Sequence, residues 1–137
     1  MIHRLFYSPT YDWTVECFFA VHCYYADDIL DALRRIDCPK RQLRVASRNL
    51  RSCNLDTGIT FSNPRRRCSV LVTSLTSSAA EFMDSYVHET GHLATHIALA
   101  DHTPLASEAL QYLHGDICRD LFPSVHTLLC DCCRRQG

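Results

Sequence analysis

The run YVHETGHLA sets His88, Glu89 and His92 in an HExxH spacing. On a helix, positions four apart stand one turn above each other, so two imidazoles at that interval can reach one zinc ion. Glu89 is turned about 100° from His88, which places it beside the metal instead of on it. From there a carboxylate can take a proton from a zinc-activated water and later pass it to a leaving amine. With His88 set at 0° on a helical wheel, His92, Glu81, Asp84 and Thr95 fall within about 40° of it, and Phe82, Tyr86, Leu93 and Ile97 between about 120° and 180°. The core face and the histidine face are thus largely opposed.

A catalytic zinc takes three protein ligands and keeps one position open. Glu108 is the candidate third ligand, carried on the next helix and separated from His92 by fifteen residues. His96 continues the four-residue spacing, but eight residues of helix span about 12 Å. The outer rings of His88 and His96 would meet a shared ion nearly in line, far from a tetrahedral angle. Tyr112, one turn beyond Glu108, is the candidate to steady an oxyanion through its hydroxyl. Gly115 reads as a point of close approach between the two helices.

HETGH followed by SEALQYLHG resembles the gluzincin-type zinc metallopeptidases, in particular small phage- or mobile-element-borne members with a Glu-x-x-x-Tyr-Leu segment. The resemblance covers about residues 66–121. It implies a zincin-like fold, Zn2+ held by His88, His92 and Glu108, and Glu89 as the acid/base. It also implies that the strand around 67–75 is the edge along which a peptide substrate lies. Many gluzincins carry an Asp four residues after the glutamate ligand to orient a histidine; here Tyr112 stands at that position, leaving Asp84 and Asp116 as candidates for the task. The metzincin pattern fails, because its third histidine would fall on Ala98.

The elements that must position these residues are legible in outline. Residues 2–7 and 13–25 are rich in aromatic and β-branched types and read as strands around an SPTYD turn. ADDILDALRRI, 26–36, reads as a helix, and 40–52 is ambiguous. Residues 57–62 and 67–75 read as strands joined by NPRR. Ser77 or Ser78 caps a helix running to about 100. Thr103-Pro104 is expected to open another, reaching about Leu121 before Pro123, with a last short helix in 124–133. Strands and helices come first and helices alone follow, which predicts one compact α+β domain over 1–137. Its sheet part is 1–76, its metal-binding helices 77–121 and its Cys-rich tail 122–137.

Composition narrows the remaining choices. Fourteen basic against fifteen acidic residues leave a net charge of −1, which gives no reason to expect a nucleic-acid or membrane-surface partner. Arg65–Arg67, the one basic run, reads as a solvated turn. Nine irregularly spaced cysteines, with no apolar leader segment, do not read as a disulfide framework and point to free thiols in a cytoplasmic protein. The terminal CDCC, with Cys118, His114 and His126, offers donors for a second metal. Its spacing matches no common zinc ribbon, and it reads as an oxidation-prone tail whose removal leaves zinc content unchanged. The expected activity is hydrolysis of a peptide bond in a peptide or protein substrate. The alternative is a zincin-like binding or interaction module with a structural or vestigial metal, favoured by how little chain remains for a deep cleft. A non-peptidase metal hydrolase would use the same residues.

Overall fold

The computed structural model describes residues 1–135. Its first strands, β1 (Ile2–Ser8) and β2 (Trp13–Val21), pair antiparallel across residues 9–12. Helices α1 (Ala26–Arg35) and α2 (Lys40–Arg51) follow, then β3 (Gly58–Asn63) and β4 (Cys68–Ser74). The chain ends in α3 (Ala79–Ala100), α4 (Glu108–Val125) and the short α5 (Asp131–Arg134). The sheet order is β1-β2-β4-β3. β2 and β4 are parallel, so the chain must cross over between them, and α1, α2 and β3 supply that crossover.

Alternation along the strands sends side chains to two cores. Trp13, Val15, Cys17 and Phe19 of β2, with Leu71 of β4, pack against α3 and α4. Phe18, Val70 and Val72 pack against α1 and α2. Ala20 adopts φ 55° where the β2–β4 register slips, and this bulge turns Val21 to the α1/α2 side. Phe82, Tyr86, Leu93 and Ile97 are all buried, as the wheel of α3 requires. Each such side chain stabilises the fold by about 1.5–3 kcal/mol.

The α+β class holds, and several finer expectations do not. The ambiguous stretch is the helix α2, entered from Pro39. Pro104 does not open α4. Ser107 does so, in an extended conformation, with its hydroxyl accepting from Leu110 N at 3.3 Å, the work of an N-cap. Pro123 does not stop α4, which runs through it to Val125. Strand β4 is interior, flanked by β2 and β3, so the edge beside α3 is β3 and not the 67–75 strand. A Cβ on Gly115 would meet nothing within 4 Å, whereas one on Gly91 would lie 3.5 Å from His114. The small residue at the α3–α4 contact is therefore Gly91. Cys23 and Cys53 form a disulfide, where the sequence pointed to free thiols. Cys17 and Cys38 are buried free thiols, and burial pushes the Cys17 thiol up to about 12. Among the described residues, no helix is long and apolar enough to cross a membrane.

Candidate metal centre

Ser78 caps α3, its hydroxyl accepting from Glu81 N at 3.1 Å, and the helix then runs for 22 residues. His88 and His92 stand exposed on its outer side. Their Nε2 atoms converge to 3.1 Å and their rings are nearly perpendicular. Two nitrogens bound to one tetrahedral zinc at ordinary bond lengths lie about 3.3 Å apart. The pair therefore already has close to the separation a shared ion needs.

Glu89 points elsewhere. It is only 5 % exposed and lies against β3. A buried carboxylate is costly without hydrogen bonds, and Thr60 Oγ1 donates one to Oε2 at 2.5 Å. Oε1 lies over Gly58, where a Cβ would come within 2.6 Å of it. Period-two alternation explains the set: Gly58, Thr60 and Ser62 share the α3-facing side of β3, while Ile59 and Phe61 join the α1/α2 core. The glycine makes room for the carboxylate, the threonine holds it, and Ser62 Oγ lies 2.7 Å from His96 Nδ1. Burial, and then the neighbouring His92, lower the pKa of His96.

These groups line a cleft of about 660 Å³ whose floor is the β3 edge. Its walls are α2, through Arg41, Gln42, Val45 and Asn49, and α3, through His88, Glu89, His92 and His96. A second cleft, of about 340 Å³, lies on the other side of the histidine pair, where α4 presents Leu110, Gln111 and His114. His114 Nε2 is 2.9 Å from Thr90 Oγ1, and burial lowers its pKa. A cavity of about 470 Å³ adjoins the first cleft through Asn49, Gly58 and Ile59, with the Cys23–Cys53 disulfide in its wall.

The other expected site residues are not drawn in. Glu108 is the exposed first residue of α4. Among the described residues no third His, Cys, Asp or Glu donor atom lies within 4.8 Å of both histidine nitrogens. Tyr112 is 69 % exposed and lines neither cleft. Asp116 accepts from Tyr11 at 3.0 Å and pairs with Arg119, so it orients no histidine. Asp84 is exposed and makes no side-chain hydrogen bond among the described residues.

One feature escaped the sequence reading: the Gly58/Thr60/Ser62 side of β3, whose small and polar alternation was the available signal. Another was weighed there and set aside as an oxidation-prone tail, the C-terminal thiol group. Cys130, Cys132 and Cys133 place their sulfurs within 4.8 Å of one another, a set that can hold a metal ion. Hydrogen bonds, first from Cys132, bring the Cys130 thiol down to about 7. The segment is docked: Asp131 accepts from Ala79 N at 2.8 Å, and Arg134 donates to the Thr76 carbonyl.

Comparison with known proteins returns no matching family model, no matching curated protein and no matching solved structure.

Proposed function

We propose that this chain is a zinc-dependent peptidase with its site in the α2/α3 cleft. The observation that carries the reading is the convergence of His88 and His92 to 3.1 Å beside a buried, hydrogen-bonded Glu89. His88 and His92 would hold the metal, with Glu108, the exposed first residue of α4, as the third ligand. A zinc held there would supply an acidified water and polarise the scissile carbonyl. Glu89 takes the proton at its free oxygen and returns it to the leaving amine, while Thr60 fixes the carboxylate from the other side. Strand β3 is an edge, so its outer backbone groups form a template for an extended peptide or a protein segment, now in place of the 67–75 strand.

The exposed positions of Glu108 and Tyr112 favour the second reading, a binding module whose metal site is structural or vestigial. A single series of variants separates the two. Glu89→Gln should retain its zinc and lose at least about 10²-fold in hydrolysis of a broad peptide library. Glu108→Ala should lose zinc affinity by orders of magnitude, and His114→Ala should not. Equal library cleavage by wild type and Glu89→Gln, or none by either, would support the binding module.

A further inference from the structure

Behind His96 runs a chain of hydrogen bonds whose direction is fixed at its far end. Trp13 Nε1 can only donate, and it donates to Ser69 Oγ at 2.8 Å. Ser69 Oγ lies 2.6 Å from Ser62 Oγ, its cross-strand neighbour. Ser62 Oγ lies 2.7 Å from His96 Nδ1. Ser69 is 1 % exposed, and among the described residues its hydroxyl has no partner besides Trp13 and Ser62. Its hydrogen therefore goes to Ser62, and the Ser62 hydrogen goes to His96 Nδ1. Reversing the Ser69–Ser62 link would leave a buried hydroxyl hydrogen unpaired, which folded proteins avoid; reversing the Ser62–His96 link would leave the half-buried Ser62 hydroxyl with no acceptor among the described residues. A neutral imidazole that accepts at Nδ1 carries its proton on Nε2. That nitrogen makes no protein hydrogen bond among the described residues, and the ring lines the cleft with His88, Glu89 and His92.

We infer that the Trp13–Ser69–Ser62 chain locks His96 as the Nε2–H tautomer, and that this N–H is the donor to the carbonyl oxygen of a peptide bound in the cleft. The second half rests on the peptidase reading. A nitrogen that keeps its proton cannot ligate zinc, so His96 stays outside the metal's ligand set for a chemical reason as well as a geometric one. It also fills the oxyanion role that the sequence assigned to Tyr112. A half-buried donor fixed in advance stabilises the charge that develops on the carbonyl oxygen, and losing such a donor costs roughly 10²–10³ in kcat.

Two measurements test this, and they fail separately. Long-range 1H–15N imidazole spectra of the labelled chain, without and with added zinc, should show His96 as Nε2–H in both. Ser62→Ala should mix the tautomers while the remaining spectrum stays folded. An Nδ1–H tautomer in wild type, or loss of the Nε2 proton when zinc is added, would overturn the lock. In the hydrolysis assay, His96→Ala should keep its zinc and lose about 10²–10³ in kcat at nearly unchanged KM. His96→Gln, which retains an N–H donor, should recover part of the loss. Unchanged kcat in His96→Ala would overturn the donor role and leave the peptidase reading standing. No hydrolysis by wild type would overturn the donor role together with that reading, and the tautomer would then be decided by the spectra alone.

Discussion

Glu89 reaches its position because β3 offers no side chain at Gly58 and a hydroxyl at Thr60. Gly58→Ala puts a Cβ within 2.6 Å of the carboxylate, so Glu89 must give up its place. The expected outcome is unchanged zinc content, hydrolysis falling toward the Glu89→Gln level, and a stability loss of about 1–3 kcal/mol, the usual cost of overpacking. Zinc analysis, peptide digestion and urea unfolding of the same preparation check all three. Full activity in Gly58→Ala would show that the seat of Glu89 does not depend on Gly58. The histidine pair was legible in the sequence because its spacing is local to one helix. The seat of Glu89 was not, because Thr60 and Glu89 are 29 residues apart and meet only when strand packs on helix.

At the scale of elements, α3 is held at both ends. Its start is tied to the tail through Asp131 and Ala79, and its end to the β3–β4 turn through Arg67. Arg67 donates to both carboxylate oxygens of Asp101, at 2.8 and 3.1 Å, and to the Tyr11 and Asp12 carbonyls, and it lies 5.1 Å from the Trp13 ring centroid. The basic run is therefore not a uniformly solvated turn; its last arginine is a strut. The hydrogen bond from Arg67 holds the Asp101 carboxyl below its ordinary pKa. An acid with a depressed folded pKa adds stability that is present above its unfolded value, about 3.9, and is lost as pH falls through and below it. Urea unfolding over an acidic pH series should show a shallower loss of stability in Asp101→Asn than in wild type. Parallel curves would remove the pair from the fold's acid response. Sequence patterning found the strands and α1 because each has its own period. It misplaced the start of α4 because the Ser107 cap outweighed Pro104, and it misnamed the edge strand because strand order is set by the crossover and not by any local pattern.

Across the whole molecule, helices from both faces of the sheet overhang the β3 edge, and the cleft is the gap between them. The Cys23–Cys53 disulfide ties the end of β2 to the loop after α2, closing 30 residues and bordering the adjoining cavity. On the chain-entropy view a loop of that size is stabilised by about 3–4 kcal/mol when crosslinked. Cys53→Ser should lose stability on that scale in urea unfolding under oxidising conditions and match wild type under reducing ones; no difference in either would mean the bond does not form in solution. On the proposed reading, His88 and His92 hold a metal independently of the thiols at the C-terminus. Native mass spectrometry can count the zinc in a variant with Cys130, Cys132 and Cys133 all changed to Ser, beside the same variant carrying His88→Ala. The expected result is one zinc in the first and none in the second. No zinc in the first would contradict the assignment of the histidine pair as a metal centre.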